Sequence, residues 1–372
     1  MNVLVLGGTG AIGIPLVREL AQMANVFVTT RRNISNQNNE NKGIKYIVGN
    51  AKNLAFLRGL LSQKRWDAVI DFMIWGAEFE HIVPLMLDST NQYVFISSAR
   101  VYAQSEDPIT ENTPRLLDVS TDECYLKTNE YALAKAREEN LLIKSGRKNY
   151  TIIRPSITYN NNRLQLGVLE KENWLYRAQH GRSIVFSKDI AGKLTTMTFG
   201  DDVAHGIASL IGKEDARGEA YHITHTKSLL WSDVLDIYLD VLEETLGHRP
   251  RVVMTEKSTN LKFKDRVYQV IYCRYFNRTF DNSKIAHYCE PLNFKSPKAG
   301  LSECLRQFID APKYGTIDWR IEAINDMASG ERTPLKEIKK KSDKALYLAY
   351  RYKLTFLLPL FKAVNFGRRM IS

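Results

Sequence analysis

Residues 1–13 are MNVLVLGGTGAIG, in which an apolar run leads directly into a glycine-spaced turn. An amphipathic segment follows the turn, so the predicted order is strand, turn and helix. Gly7 allows a sharp turn, Gly10 lets the backbone approach a pyrophosphate, and Gly13 permits close packing of the helix. The N-terminus of such a helix carries a partial positive charge that suits an anion. This stretch therefore predicts a dinucleotide-binding fold.

The second predicted strand, residues 25–30, ends at Thr30 and is followed by Arg31 and Arg32. In NAD sites an acidic residue at this place accepts hydrogen bonds from the adenosine ribose, and a carboxylate would repel a 2′-phosphate. Guanidinium groups instead bind a phosphate through two hydrogen bonds. We therefore expect NADP(H) as the cofactor. NAD(H) is the alternative if the two arginines are only solvated loop charges.

Strand and helix signals alternate from residue 2 to about residue 155. This alternation predicts an α/β fold, a Rossmann-like doubly wound parallel sheet, with a smaller C-terminal substrate lobe and a basic helical tail. The further predicted strands are 44–48, 68–72, 93–97, 151–153 and 220–224. The predicted domains are 1–155 for the cofactor, with segments around 195–225 returning to it, 156–310 mainly for the substrate, and 311–372 as a helical basic extension.

Composition, net charge and cysteine spacing restrict the class of protein. Hydrophobic residues make up 44% of the 372 residues, which is ample for a core, and the formal net charge is +11. Of this charge, +8 lies in residues 335–372. There is no run of eighteen uncharged apolar residues, and the first strand begins at residue 2, so we expect a cytoplasmic protein without a spanning helix or leader peptide. The four cysteines lack metal-ligand spacing, so we expect free thiols and no metal site.

The predicted catalytic residues are Ser98, Tyr131 and Lys135. Ser98 follows the fifth strand, at the carboxyl edge where parallel sheets bind ligands. Tyr131 and Lys135 are spaced one turn apart on the next predicted helix, so their side chains share one face. A tyrosine phenol of pKa about 10 is a poor base at neutral pH, and a nearby lysine ammonium favours the phenolate. A serine hydroxyl beside this pair can polarise a substrate carbonyl.

These motifs resemble the extended short-chain dehydrogenases/reductases of the NAD-dependent epimerase/dehydratase type, over about residues 1–310. The matching segments are Gly7–Gly13, Ser97–Tyr102, Tyr131–Lys135, Arg154–Pro155, Gly200–Ala204 and Phe280–Lys284. The resemblance implies that Ser98, Tyr131 and Lys135 form the catalytic triad and that Lys135 also binds the nicotinamide ribose. It further implies a nucleotide-sugar substrate, clasped between the Rossmann sheet and the smaller lobe.

The expected binding residues follow from the glycine turn, the strand ends and this resemblance. For the cofactor they are Gly7, Thr9, Gly10, Ala11, Ile12, Gly13, Arg31, Arg32, Asn50, Ala51, Tyr131, Lys135 and Pro155. For the substrate they are Ser98, Arg163, Trp174, Arg177, Arg182 and Lys284. Arginines suit a diphosphate and tryptophan suits a base or a sugar face. Each of the substrate candidates also has a structural interpretation, as a loop charge or a core residue.

Departures from the family pattern restrict the reaction. Ser98 is followed by Ala99 and Arg100, where sugar 4,6-dehydratases have an Asp-Glu pair that carries protons, so dehydration is disfavoured. Residues 73–75, Met-Ile-Trp, replace the usual small turn after the fourth strand. The remaining reactions are NADPH-dependent reduction of a keto-sugar and 4-epimerisation with tightly bound NAD. The two arginines after the second strand favour the reductase.

Two further questions stay open. Residues 69–72 and 97–102 also resemble the chloroplast stem-loop RNA-binding relatives of this family, which kept the fold and lost the Tyr–Lys pair. Because Tyr131 and Lys135 are present and the positive charge lies in the tail, we disfavour a nucleic-acid partner. The tail, residues 336–372, combines basic, aromatic and apolar residues. This pattern fits a helix on an anionic membrane surface, and equally a helix packed on the enzyme or across a homodimer.

Overall fold

The computed structural model describes residues 1–32, 43–73, 75–262 and 266–357. Its strands are β1 (Asn2–Leu6), β2 (Asn25–Thr30), β3 (Ile44–Val48), β4 (Ala68–Asp71), β5 (Tyr93–Ile96), β6 (Tyr150–Ile153), β7 (Ile157–Tyr159), β8 (Gln165–Leu166), β9 (Leu169–Glu170), β10 (Ile184–Ser187), β11 (Leu194–Thr195), β12 (Met197–Phe199), β13 (Glu219–Tyr221), β14 (Leu229–Leu230) and β15 (Val252–Thr255). Its helices are α1 (Gly13–Leu20), α2 (Leu54–Leu61), α3 (Phe79–Ser89), α4 (Leu116–Val119), α5 (Glu123–Leu126), α6 (Tyr131–Lys144), α7 (Lys171–Gln179), α8 (Lys188–Ala191), α9 (Gly200–Leu210), α10 (Trp231–Leu246), α11 (Val267–Gln269), α12 (Pro297–Asp310), α13 (Trp319–Ser329) and α14 (Lys341–Arg351).

A seven-stranded parallel sheet in the order β13-β6-β5-β4-β1-β2-β3 is the centre of the first part of the molecule. From β1 the chain proceeds outward through β2 and β3, and then returns to the other side of β1 to add β4, β5 and β6. The strand order therefore reverses between β1 and β4, which is where open parallel sheets bind ligands at their carboxyl edge. The predicted Rossmann-like doubly wound sheet is confirmed.

Side-chain alternation along β1 builds a core on each face of this sheet. Val3 and Val5 point to one face, where they join a buried cluster that includes α1 and α9. Leu4 and Leu6 point to the other, where they join residues of α2 and α3. This is the period of two that a strand imposes, and because both faces are covered residues 3–6 of the strand are all apolar.

The chain divides into two compact units, each built from several segments. Unit 1 comprises Met1–Asn162, Leu194–Leu229 and Phe276–Leu301, and unit 2 comprises Arg163–Lys193, Leu230–Tyr275 and Ser302–Ser372. The borders differ from the predicted ones at 155 and 310. Pairing of β13 with β6 brings a later segment back into the sheet.

Unit 2 contains the segment that we expected to be an appended tail. Trp319 and Ala323 of α13 form a buried cluster with Ile338 and with Tyr347 of α14. The Tyr347 hydroxyl donates a hydrogen bond of 2.6 Å to Asp326. These contacts make residues 319–347 an integral part of the unit. The remainder of the tail, residues 358–372, lies outside the described residues.

The described part of this C-terminal segment is not one continuous helix. Short 3-10 turns at Leu335–Glu337 and Thr355–Leu357 flank α14. Within the described ranges, no helix combines the length and the apolar character needed to cross a bilayer.

Candidate active site

The glycine turn after β1 is built by close packing at two glycines and a left-handed backbone at a third. Gly7 has a φ of 78°, which favours glycine. A Cβ on Gly13 would lie 2.6 Å from backbone atoms of Gly8, and a Cβ on Gly8 would lie 2.7 Å from a methyl of Val5. Gly13 thus packs on the turn itself, and Gly8 is the residue that packs on the strand. By contrast, a Cβ on Gly10 would meet no atom within 4 Å.

The N-terminus of α1 is left open for an anion. The helix has no side-chain cap at Ile12 and no acidic residue in its first turn. Thr9 and Gly10 are exposed, and Ala11 and Ile12 are half-buried. Backbone N–H groups at such a helix start lack intrahelical partners, and the helix dipole favours negative charge there. These features fit the pyrophosphate of a dinucleotide.

The ends of β2 and β3 carry the residues predicted for the adenosine half. The Thr30 hydroxyl accepts a hydrogen bond of 3.1 Å from the Arg32 N–H, so the threonine shapes the turn. Arg31 and Arg32 are both exposed. Asn50 is exposed too, and its side chain accepts a hydrogen bond of 3.1 Å from the Lys52 N–H. Ala51 is instead buried among the core residues on one sheet face.

The end of β4 holds a buried carboxyl group that the sequence did not single out. Asp71 accepts hydrogen bonds of 2.6 Å from both the Trp75 indole and the Tyr93 hydroxyl. Burial raises the pKa of Asp71, and burial beside that carboxyl raises the pKa of Tyr93 well above its usual value. The loop after β4 also approaches the glycine turn, because a Cβ on Gly7 would lie 3.0 Å from the Met73 sulfur.

Ser98 and Tyr131 lie on neighbouring elements at the carboxyl edge of the sheet. Ser98 follows β5, is buried, and accepts a hydrogen bond of 3.2 Å from the Arg100 N–H. Tyr131 opens α6, where the Glu130 side chain caps the helix by accepting a bond of 2.8 Å from the Ala132 N–H. Glu130 also forms an ion pair with Arg100.

Arg100 connects the segment after β5 with the start of α6. Its guanidinium lies 5.3 Å from the centre of the Tyr131 ring. Tyr131 is 37% exposed, and among the described residues its hydroxyl has no hydrogen-bond partner. The hydroxyl is therefore not engaged by the described part of the protein.

Lys135 is placed differently from Tyr131, although both lie on α6. Its Nζ is 3.0 Å from Oε2 of Glu138, and both side chains are only 3% exposed. The angle between the groups is not that of a hydrogen bond, and the described residues offer this Nζ no other acceptor. The Nζ also lies 4.4 Å from the centre of the Phe95 ring. The ammonium thus has a charge partner while its N–H groups make no hydrogen bond to the described protein.

Glu139, which follows Glu138 on α6, has a different environment from Lys135 and Glu138. Glu139 accepts hydrogen bonds from Arg154, Arg115 and the Ser97 hydroxyl, at 2.6 to 3.1 Å. This network accounts for Arg154 without a ligand. Pro155 follows directly, and its carbonyl accepts a hydrogen bond of 2.9 Å from the Ala99 N–H, which fixes the segment beside Ser98.

The predicted substrate residues have protein partners, with one exception. Trp174 is buried, donates a hydrogen bond of 3.1 Å to the Leu164 carbonyl and stacks on Tyr238. Arg182 pairs with Glu337 at 3.0 Å, and Lys284 pairs with Glu219 at 2.7 Å.

Arg177 is the most enclosed of these candidates. Its side chain has no exposed area, and all five of its N–H groups donate to unit 2 acceptors: Ser183, Glu322, Asp326, Ser329 and Glu331. Arg163 is the exception and is exposed. Contact of these residues with a substrate stays a prediction, and Arg163 is the candidate with a free surface.

A dinucleotide fits one half of this site more simply than the other. The open helix start and the space beside Gly10 suit the phosphates without rearrangement. At the nicotinamide end, the Lys135 Nζ has less than 1 Å² of exposed surface, so a ribose hydroxyl reaches it only if the side chain moves. Two features missed from the sequence, Asp71 and Glu138, lie around this lysine. Glu138 could have been noticed as an acid three residues after Lys135.

Comparisons with known proteins agree with the fold. A model of the NAD dependent epimerase/dehydratase family matches residues 3–224. A curated relative, the chloroplast stem-loop binding protein of 41 kDa b from Arabidopsis thaliana, is 26% identical over 241 residues, which are 61% of this chain and 59% of that protein. The chain thus spans about three fifths of the length of that relative.

Solved structures share the fold at low sequence identity. The Bordetella bronchiseptica enzyme WbmH in complex with NAD+ is 14% identical with a TM-score of 0.62, covering 84% of this chain and 99% of that chain. UDP-glucuronic acid 4-epimerase from Bacillus cereus, in complex with UDP-glucuronic acid and NAD, is 17% identical with a TM-score of 0.61 and covers 83% and 100%. The family match extends over more than half of the chain and confirms the predicted family. The chain belongs to the NAD dependent epimerase/dehydratase family.

Proposed function

We propose that the protein is an NADP(H)-dependent oxidoreductase that reduces a keto group of a nucleotide sugar. The observation that carries the proposal is the Tyr131 hydroxyl, which has no partner among the described residues and belongs to a ring that lies against Arg100, two residues after Ser98. A tyrosine that acts as a general acid needs a hydroxyl that is not already bonded to the protein. Tyr131 meets this condition among the described residues, because its ring is fixed by Arg100 while its hydroxyl has no protein partner.

The cofactor supplies a hydride to the carbonyl carbon when it is bound. The roles of the protein groups follow from their chemistry. The Ser98 hydroxyl orients and polarises the carbonyl, and Tyr131 gives its proton to the carbonyl oxygen as that oxygen becomes an alcohol. The α1 N-terminus and the Gly7–Gly13 turn hold the pyrophosphate. Lys135 supplies a positive charge beside the phenol and hydrogen bonds to the ribose once it leaves Glu138.

NADP(H) is proposed because two exposed arginines follow β2. Arg31 and Arg32 have no carboxylate partner among the described residues, so both guanidinium groups are available to a 2′-phosphate. Thr30 presents no negative charge to repel it. Neighbouring structures such as WbmH contain NAD+, which makes NAD(H) the alternative cofactor to be tested beside NADPH.

The alternative reaction is 4-epimerisation, which returns the hydride to the same substrate. The Bacillus cereus neighbour is a UDP-glucuronic acid 4-epimerase. In this chain Ser98, Tyr131 and Lys135 would serve either reaction. Bound cofactor distinguishes them. A reductase exchanges its cofactor in each cycle, whereas an epimerase retains NAD.

The test is to incubate the purified full-length protein with NADPH or NADH and a panel of nucleotide keto-sugars. The proposal predicts stoichiometric oxidation of NADPH with at least one keto-sugar and little turnover with NADH. Sugar epimers formed without net cofactor oxidation, by protein that is purified with NAD, would establish the alternative. No turnover of any panel member with either cofactor would contradict both.

RNA binding is a second candidate because the curated relative is a stem-loop binding protein. RNA affinity arising from phosphate contacts falls steeply with salt. Titration of a stem-loop RNA at two salt concentrations, with and without NADPH, tests this role. Tight, salt-dependent binding by a protein that turns over no keto-sugar would favour RNA binding over the reductase.

A further inference from the structure

The Lys135–Glu138 contact decides where the predicted catalytic ammonium lies. Removing an ammonium from water costs several kcal/mol, and a neighbouring carboxylate offsets much of that cost. At 3.0 Å, Glu138 is the carboxylate in ion-pair contact with Lys135 among the described residues. The lysine is thus drawn along its own helix toward Glu138.

This position withdraws the ammonium from any ligand. Its Nζ has less than 1 Å² of exposed surface. A ribose hydroxyl that hydrogen-bonds to nitrogen occupies about the same space as a water, at roughly 2.9 Å. No ribose oxygen can therefore reach Nζ while Lys135 remains in contact with Glu138.

Glu138 is itself fixed by a second contact. Its Oε1 accepts a hydrogen bond of 2.9 Å from the Gly76 N–H, in the loop after β4. The carboxylate therefore stays in place when the lysine moves. The same loop carries Met73, which approaches Gly7 of the glycine turn.

Lys135 is held by this ionic contact and by the Phe95 ring, whose centre lies 4.4 Å from its Nζ. Its N–H groups make no hydrogen bond with the described residues, so its movement breaks none with them. Glu139, one residue further along α6, is by comparison bonded to two arginines and a serine. Of the two buried carboxylates on α6, Glu138 therefore binds its cation more weakly than Glu139 does.

We propose that Glu138 is a positioning residue that holds Lys135 in a withdrawn, resting position, and that NADP(H) binding must draw the ammonium away from it. The inference rests on the proposed function, because it assumes that Lys135 meets the nicotinamide ribose. Glu138 then competes with the cofactor for the lysine. Removing its charge favours the cofactor-bound position and strengthens NADPH binding.

The test is a double-mutant cycle on the equilibrium dissociation constant of NADPH, measured with the full-length protein. The four proteins are the wild type, E138Q, K135M and the double variant. We expect E138Q to bind NADPH about tenfold more tightly than the wild type, because coupled buried pairs have interaction energies of this size. In the K135M background the same substitution should change the constant by less than about twofold, since no ammonium remains to be released.

Glu123→Gln is the matched control. Glu123 is in unit 1 and pairs with Lys127 on the surface, and both side chains are more than three quarters exposed. This variant makes the same change in formal charge and should leave the NADPH constant as in the wild type. Glu138→Asp keeps the charge and shortens the side chain by one methylene. It should tighten NADPH binding by a smaller factor, and it replaces E138Q in the cycle if E138Q does not fold.

Three results would overturn the inference. One is an E138Q protein that is folded by circular dichroism and binds NADPH as weakly as the wild type, or more weakly. Another is an equal change in both lysine and methionine backgrounds, which would mean that Glu138 does not act through Lys135. The third is that none of the four proteins binds NADPH or NADH. In that case the proposed function fails as well, and the absence of any cofactor binding distinguishes this result from the first two.

Discussion

Two buried cations of this protein, Lys135 in unit 1 and Arg177 in unit 2, have opposite surroundings. All five N–H groups of Arg177 donate hydrogen bonds, and its neighbours include three carboxylates. Lys135 has one carboxylate at 3.0 Å and donates no hydrogen bond to the described residues. Both residues were predicted to bind ligands from their charge and place in the sequence.

The difference indicates which of the two can act on a ligand. A cation with every donor satisfied leaves its position only by breaking several buried, charge-assisted bonds, so it stabilises the fold. A cation held by one ionic contact has donors to spare and can move. Burial alone does not separate these cases, whereas a count of satisfied donors does.

The largest effect is expected beside the movable cation, in the Tyr131→Phe variant. Loss of the phenol proton should lower kcat by about a thousandfold, since general acid catalysis contributes roughly 10²- to 10⁴-fold. The measurement is NADPH oxidation with the keto-sugar that the wild type reduces. Stability should be unchanged, because the hydroxyl is exposed and has no partner in the described part of the chain. A rate within about tenfold of the wild type would show that another group donates the proton.

The fixed cation should instead affect stability. Arg177→Met removes the guanidinium that lies 2.7 Å from Glu322 and from Asp326, leaving Glu322 with Arg182 at 3.3 Å, and should lower the free energy of unfolding by about 3–5 kcal/mol. Chemical denaturation measures this. The control is Arg249→Met, whose ion pairs with Asp240 and Glu243 are on the surface and should cost less than about 1 kcal/mol. Equal losses of unfolding free energy in the two variants would mean that the buried, fully hydrogen-bonded Arg177 stabilises the fold no more than the exposed Arg249.

A second pair of cations, Arg31 and Arg32, is exposed and should affect only cofactor choice. Replacing both by Ala should reduce the preference for NADPH over NADH by about 10- to 100-fold, because hydrogen bonds to a charged group are worth about 1.5–3 kcal/mol. The ratio of the two dissociation constants is the readout. The double variant Arg249→Ala/Arg306→Ala, which removes the same charge in unit 2, should leave the ratio unchanged. An unaltered ratio in the first variant would favour NAD(H).

The smallest effect concerns a half-buried carboxyl group that accepts a hydrogen bond from the backbone. Burial raises the pKa of Asp202, at the start of α9, to about 6, although its side chain accepts a hydrogen bond of 2.8 Å from the Lys295 N–H. Between pH 4 and 6 the folded state then holds more protons at this group than the unfolded state does. This contribution therefore makes stability fall as pH rises through that window. Asp202→Asn should lose that slope in unfolding curves measured from pH 4 to 7, and an identical slope in both proteins would contradict the assignment.

Much of unit 1 could be predicted from the sequence because its signals are local. The apolar run of residues 2–6, the glycine at position 7 and the spacing of Tyr131 and Lys135 act within one strand, one turn or one helix. They predicted a doubly wound parallel sheet and the element that carries each of these residues. The extension over 311–372 was predicted to be helical, and its described part contains α13 and α14, with 3-10 turns on either side of α14.

The partners of the charged residues could not be predicted, since they depend on contacts far apart in the chain. Arg177 meets Glu322 across 145 residues. Asp71 meets Tyr93 through neighbouring strands, and Glu138 meets Gly76 across 62 residues. A sequence displays the charge of such residues and not whether their donors are already used. The difference between Lys135 and Arg177 is therefore visible only in the folded chain.

The most direct test of the movable lysine is a pair of crystal structures of the wild-type protein, one without cofactor and one with NADPH. Without cofactor, the Lys135 Nζ should lie within about 3 Å of the Glu138 carboxylate, as it does here. With NADPH bound at the Gly7–Gly13 turn, it should leave Glu138 and donate to the nicotinamide ribose, beside the Tyr131 hydroxyl. A lysine that stays on Glu138 while NADPH occupies the glycine turn would contradict this mechanism.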